Sequence, residues 1–314
     1  MSYRGRFAPS PTGGLHWGNL LVAFCVWSRA YRAGGVSLLR MEDIDQPRVL
    51  NGAYEEILAD LNYLNLNFDE GPEVGGPFPP YVQQQGLHLY AQAAEQLIAQ
   101  GRVFGCTCSR KDLQNIASAP HQGDDTLIYP GTCSDKNHLL RQGSVDVAWR
   151  FRVTSGDTIF EDVLAGLQTE RVSQEVGDFV IKRKDGLWAY HLAVVVDDIR
   201  QGITEVVRGR DLLSSTARQI QLYEALGARP PKYLHVPLWV DADGERLSKR
   251  RGERTETIGR LRRAGVSPEK ILGVVGQALG ICSAHESLTA ENLADRLECH
   301  VLDQHRVVQS TAFS

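Results

Sequence analysis

The chain has 314 residues, 42% of them hydrophobic and 23% charged, with a formal net charge of −4; this composition belongs to a soluble globular protein and excludes a disordered or fibrous one. No apolar run approaches the roughly 20 residues that span a bilayer, and MSYRGRFAPS lacks the apolar core of a signal peptide, so a cytoplasmic protein without membrane contact is expected. The charge balance supplies no global attraction to a polyanion. Contact with RNA would depend on two local basic segments, Lys182-Arg183-Lys184 and the run from Lys249-Arg250-Arg251 through Arg254, Arg260, Arg262 and Arg263.

Arg4 to Ala8 reads as a short strand, followed by the loop Pro9-Ser10-Pro11-Thr12-Gly13-Gly14. Residues 18–33 carry apolar side chains on most turns and stop at Gly34-Gly35, which predicts a helix, and VSLLRM after it reads as a buried strand. A strand, glycine-containing loop, helix, strand unit is the crossover that parallel strands need, so an α/β fold is expected. Further helices are predicted over 51–65 and 87–100, separated by a Gly/Pro-rich loop at 71–80. From 101 to 173 the periodicity becomes irregular, with β-like DVAWRFRV and DTIFEDV, which points to an inserted subdomain. The sheet signal resumes in WAYHLAVVVDD from Trp188 and in ITEVVRG, before a helix from Ser214 to Leu226 opened by a Ser-Ser-Thr cap. After LHVPLWVD and a turn come helices near 258–263, 268–279 and 290–297. The expected organisation is a first half of the sheet domain at 1–100, an insertion at 101–173, a second half at 174–240, and a basic loop with a small helical region at 241–314.

The segment PSPTGGLHWGN lies between the first strand and the first helix. Backbone N–H groups at a helix N-terminus make a phosphate site, glycines let the phosphate approach, and His16 can donate a hydrogen bond, so a nucleotide is the expected ligand. Together with Arg246-Leu247-Ser248-Lys249-Arg250, this segment resembles the HIGH and KMSKS signatures of class I aminoacyl-tRNA synthetases, His16-Trp17-Gly18-Asn19 standing for the first. RFAPSPTGGLH, LLRMEDID and VVRGRDLLSSTARQ look specifically like the glutamyl branch, and the matches run from Arg6 to about Arg250. The resemblance implies a Rossmann-type nucleotide-binding sheet, with His16, Gly18, Asn19, Ser248 and Lys249 at ATP and its Mg2+. It also implies that His16 and Lys249 are the catalytic groups that answer the charge developing on the phosphates. Three positions depart from the family pattern: Asn19 replaces a histidine and keeps a hydrogen bond, Leu247 replaces a methionine and still packs, and Arg246 replaces a lysine and keeps its charge.

Glutamate presents an ammonium and two carboxylates, so its pocket needs cations at one end and an anion or acceptors at the other. Arg6 and Arg208 are candidates for the carboxylates, Glu42 for the ammonium, and Tyr190 and Ser10 for further hydrogen bonds. By resemblance, Arg6, Phe7, Ala8, Pro9, Ser10, Glu42, Tyr190 and Arg208 match the family's glutamate-binding positions, and such ligands sit beyond the C-terminal ends of the strands.

A reducing compartment makes a disulfide framework from the six cysteines unexpected. Cys25, Cys282 and Cys299 read as small buried hydrophobes. Cys106, Cys108 and Cys133 offer three corners of a tetrahedral zinc site, and His121, His138 and Tyr129 compete for the fourth. The pattern Cys-x-Cys, then Tyr-x-x-x-Cys, is similar to the zinc site of the queuosine-directed paralogues of the glutamyl branch, which implies Tyr129 and a structural zinc. His88, His191 and His235 read as structural or surface residues.

A complete glutamyl synthetase follows KMSKS with a long helical anticodon reader, for which residues 251–314 are too few. The resemblance to the paralogues therefore implies a monomer that activates L-glutamate with ATP and transfers it to queuosine in the anticodon of tRNA(Asp). The alternatives are a compact enzyme that charges a tRNA 3′ end and a non-catalytic RNA-binding relic.

Overall fold

The predicted first strand forms at Arg4–Phe7 (β1) and is followed by helix α1 (Trp17–Ala33) and strand β2 (Val36–Leu39). The structure is a computed structural model that describes residues 2–109, 111–113, 128–136, 140, 146–240, 257–283, 286–298, 302 and 307–309. Helix α1 stops where Gly34 takes a left-handed conformation (φ 56) and its amide caps the carbonyls of Ala30 and Tyr31, a conformation that costs glycine nothing. Helices α2 (Ala53–Tyr63) and α3 (Leu87–Ala99) and strands β3 (Val103–Cys106) and β4 (Ala148–Phe151) come next. They are followed by strands β5 (Thr158–Asp162) and β6 (Gly166–Glu170), the single turn α4 (Val172–Glu175) and strand β7 (Phe179–Lys182). Helix α5 (Tyr190–Arg200), strand β8 (Glu205–Gly209), helix α6 (Thr216–Ala225) and strands β9 (Lys232–Val236) and β10 (Leu238–Val240) complete this part. Helices α7 (Ile258–Arg263), α8 (Pro268–Ala278) and α9 (Ala290–Arg296) and strand β11 (Val307–Gln309), which pairs with β10, close the described chain.

The main sheet has the order β2-β1-β8-β9-β5-β6 and is parallel except for β6, a Rossmann-like α/β arrangement. Helix α1 lies on it with Leu20, Leu21 and Phe24 fully buried, and α2, α8 and α9 contribute Ile57, Leu61, Ile271, Val275 and Leu293 to the same core. Each such side chain adds about 1.5–3 kcal/mol of hydrophobic stabilisation. A second core joins α3, α5 and α6 to the antiparallel sheet β3-β4-β7 through Tyr90, Leu97, Phe151, Ile181, Leu192 and Leu222. Among the described residues no helix is long and apolar enough to cross a membrane.

Three expectations from the sequence are corrected. WAYHLAVVVDD is a helix, α5, rather than a returning strand. Leu192, Ala193, Val194 and Val195 are all buried because α5 packs against α3, α6 and β7 at once, and an apolar run buried on several faces shows neither period. The segment DTIFEDV, assigned to the insertion, is β5 of the main sheet, while β7, assigned to the second half of the sheet domain, completes the small antiparallel sheet. Finally, a 3-10 turn over Arg210–Ser215 precedes α6, and the Ser215 side chain makes no capping bond.

Leu192 is fully buried in the core that α5 shares with α3, α6 and the small sheet. Leu192→Ala is expected to cost about 2–5 kcal/mol, read as a lower urea midpoint with an unchanged slope.

Candidate active site

Strand β1 has β2 on one side and β8 on the other, so the strand order reverses there, and the C-terminal ends of such strands open a crevice for ligands. A cavity of about 520 Å³ occupies this point. Its walls include Arg6, Phe7, Ala8, Pro9 and Ser10 from the end of β1, His16, Gly18 and Asn19 from the start of α1, and Glu42, Tyr190 and Arg208. Every predicted glutamate residue and every predicted ATP residue before position 240 thus faces one space. Ser248 and Lys249, with the rest of the KMSKS-like segment, lie outside the described residues.

The floor of the cavity is a buried charge cluster. Arg6 Nε donates to Asp198 Oδ1 at 3.0 Å, and Arg40 binds Asp198 at 2.7 Å and Glu42 Oε1 at 3.0 Å. Burial alone would raise the Asp198 pKa, yet Arg6 and Arg40 hold it below the ordinary carboxylate value. For Glu42 burial wins over Arg40 and Arg6, and its pKa is raised. Only Oε1 of Glu42 is bonded among the described residues. Arg208 differs from Arg6: its donors go to His235, Gln219 and Thr216, and it has no carboxylate partner among the described residues. A buried cation without a counter-ion therefore faces the cavity together with a carboxylate that burial has made reluctant to ionise.

At the mouth of α1, His16 is the N-cap residue and its Nδ1 accepts from the Asn19 amide at 3.3 Å, which leaves the proton of the neutral ring on Nε2. A Cβ at position 18 would come within 3.3 Å of this imidazole, so Gly18 gives the ring its room. Trp17 stacks on Trp239 with centroids 5.4 Å apart, and the Ile258 amide that opens α7 donates to Leu15 O at 2.8 Å.

Lys249, Arg250, Arg251 and Arg254 lie outside the described residues, and most of the described members of the two basic segments are engaged within the protein. Arg262 and Arg263 pair with Asp60 and Glu56 of α2, Lys182 sits against the rings of Trp149 and Trp188, and Arg183 and Lys184 pair with Asp185 and Asp146.

Away from the cavity, Cys106, Cys108 and Cys133 place their sulfurs within 4.8 Å of one another without a disulfide. Four ligands around a tetrahedral metal at about 2.3 Å stand about 3.8 Å apart, and Cys108 and Cys133 are 3.5 Å apart. The cluster is spaced to hold a metal ion. Tyr129 Oη lies 3.6 Å from Cys106 Sγ and accepts from the Cys133 amide at 2.8 Å. His121, His138 and Cys299 lie outside the described residues; Cys25 is buried and Cys282 partly so.

The family model for the catalytic domain of class I tRNA synthetases (E and Q) matches residues 2–309. The chain belongs to this family. As a class I tRNA synthetase-type chain it is an ATP-dependent ligase. It is 48% identical over 284 residues to the glutamyl-Q tRNA(Asp) synthetase of Nitratidesulfovibrio vulgaris, a match spanning 88% of this chain and 86% of the relative. The glutamyl-Q tRNA(Asp) synthetase of Symbiobacterium thermophilum is 44% identical over 294 residues, covering 92% and 90%. Among solved structures, a glutamate tRNA ligase from Elizabethkingia meningosepticum in complex with its amino acid superimposes with a TM-score of 0.84 at 26% identity, over 99% of this chain and 68% of the ligase.

Sequence reasoning passed over Arg40, Asp198 and His235, which bond to the candidate site residues Glu42, Arg6 and Arg208. Asp198 and His235 meet their partners across long stretches of chain, Arg40 is near Glu42 in sequence but meets Asp198 only in the fold, and only the acidic pair Asp197-Asp198 inside an apolar run hinted at a buried charge. Asp198→Asn is expected to destabilise the protein by about 3–5 kcal/mol, because it leaves buried guanidinium groups underpaired. With its folded pKa depressed, the Asp198 contribution is full above the unfolded value of about 3.9 and is lost as the pH falls from there through the folded value. Urea midpoints of wild type and variant should therefore converge on acidification.

Proposed function

We propose that the chain activates L-glutamate with ATP and transfers it to queuosine in the anticodon of tRNA(Asp), a reading supported by relatives named glutamyl-Q tRNA(Asp) synthetase. The observation that carries glutamate is the pairing, in one cavity, of the unanswered Arg208 cation with Glu42. A substrate carboxylate supplies the charge Arg208 lacks, and a substrate ammonium returns the raised Glu42 pKa toward ionisation. Tyr190 and Ser10 add hydrogen bonds, and Arg6, already tied to Asp198, lends positive potential rather than a free fork.

The α-carboxylate of glutamate attacks the ATP α-phosphate in line, and pyrophosphate leaves. Mg2+ arrives with ATP as part of the substrate and offsets phosphate charge. His16, with its proton on Nε2, and the amides at the start of α1 receive the triphosphate, and Lys249 adds its ammonium in the transition state. A hydroxyl of the modified base then attacks the activated carbonyl and AMP departs. No protein nucleophile is needed.

The cysteine cluster is read as a structural zinc site with Tyr129 as fourth ligand. Three neighbouring thiolates repel one another unless a cation binds them, and the Tyr129 oxygen already touches two of the three cysteines. Burial raises the Tyr129 pKa, so a bound cation would have to supply the attraction that releases the phenol proton. A closed shell leaves no position for substrate.

Labelled glutamate supplied with ATP should enter queuosine-containing tRNA(Asp) and not its queuosine-free form, with the label in the anticodon fragment after nuclease digestion and unaffected by removal of the 3′-terminal adenosine. Label on the 3′ end would make the chain a compact tRNA-charging enzyme, and absence of ATP–pyrophosphate exchange with tRNA present would make it a relic. For the metal, elemental analysis should return one zinc per chain, lost in Cys133→Ser, retained but more readily chelated in Tyr129→Phe, with a lower Tm after chelation.

A further inference from the structure

Arg208 and His235 are register partners on the adjacent parallel strands β8 and β9. Arg208 Nε donates to His235 Nε2 at 2.9 Å, so that nitrogen is an acceptor. The proton of the neutral ring is then on Nδ1, which faces Asp162 Oδ2 at 2.6 Å. Asp162 is anchored in turn by the amides of Leu164, Ala165 and His235 at 3.0, 2.8 and 3.1 Å. Tyr233 stacks on the imidazole at 6.3 Å, and the Arg208 guanidinium lies over the Tyr233 ring at 5.7 Å. His235 and Asp162 are both buried, at 0% and 1% exposure, so solvent cannot replace any of these bonds. Burial also lowers the His235 pKa, which keeps Nε2 available to accept.

The interposed ring has a consequence for charge. A carboxylate directly on a guanidinium, as Asp198 is on Arg6, already answers the cation. Asp162 instead reaches Arg208 through a neutral imidazole, one ring further away, where its Coulomb attraction is weaker. The guanidinium is oriented while its charge remains available to a ligand. We infer that His235, backed by Asp162, is a positioning residue that aims Arg208 at the substrate carboxylate and preserves its charge, and so sets selectivity for a carboxylate over the neutral amide of glutamine. This rests on Arg208 being the carboxylate holder, as proposed above.

Two substitutions divide the roles of the ring. In His235→Asn the amide nitrogen takes the place of Nδ1 and keeps a donor for Asp162, but position 235 no longer reaches Arg208, which keeps only Gln219 and Thr216 among its described partners. In His235→Gln the amide oxygen takes the place of Nε2 and restores an acceptor for Arg208. ATP–pyrophosphate exchange with tRNA present, at varied glutamate, glutamine and ATP, should show the KM for glutamate raised about tenfold in His235→Asn, the scale of one lost hydrogen bond to a charged group. Selectivity over glutamine should fall in parallel, with the KM for ATP unchanged and kcat altered less than the KM for glutamate. His235→Gln should recover much of the glutamate KM. Wild-type glutamate KM in His235→Asn, or equal losses toward glutamate and ATP in both variants, would overturn the inference and leave the ring a packing residue. Arg208→Lys separates the two readings: an unchanged glutamate KM there sinks the assignment of Arg208 itself, whereas a raised KM with His235→Asn silent sinks only the positioning role.

Discussion

The arrangement depends on burying Arg6, Arg40, Glu42 and Asp198 together, all at 7% exposure or less. Charges removed from water are tolerated only when paired and hydrogen-bonded, so this cluster dictates where its parents lie. Arg6 comes from β1, Arg40 and Glu42 from the chain leaving β2, and Asp198 from α5. Pairing them seats α5 against the sheet ends, and α5 brings Tyr190 at its first turn into the cavity. The same helix packs on β7, so the small antiparallel sheet is referenced to the same charges.

The cluster also explains why the cavity has a polarity. Arg6 and Arg40 exhaust the attraction of Asp198, while Arg208, one strand further along, is bonded among the described residues only to neutral groups. Opposite tendencies therefore meet across one space: a cation lacking an anion, and a carboxylate for which ionisation is costly. A zwitterion with an additional acid group satisfies both, whereas a neutral or purely cationic ligand leaves Arg208 unanswered.

What could be read from the sequence was whatever is local. PSPTGGLHWGN could be read as a candidate phosphate site because such a site at a helix start is assembled from consecutive amides and a capping residue, and the Cys-x-Cys pair is likewise contiguous. Arg6, Glu42, Tyr190 and Arg208 were reached only through the family resemblance, since nothing near them in the chain signals a shared pocket. His235 was passed over as structural because the strand register that sets it beside Arg208 is not written in either strand. Helix α5 was misread for a related reason: its burial on several sides erases the amphipathic stripe, and its β-branched residues favour the wrong assignment. The hairpin β5–β6 looks like part of an insertion until its backbone bond to β9 is known.

The joint between the two halves of the active chain carries a mechanical consequence. The strand entering residues 241–256 ends with Trp239 stacked on Trp17, and the helix leaving them begins with the Ile258 amide bonded to Leu15. Both ends of that segment are thus fastened to neighbours of His16. The residues that flank the segment, more than two hundred positions from His16 along the chain, share one mounting with the start of α1, and a displacement of that mounting by strain would carry both flanks along with it.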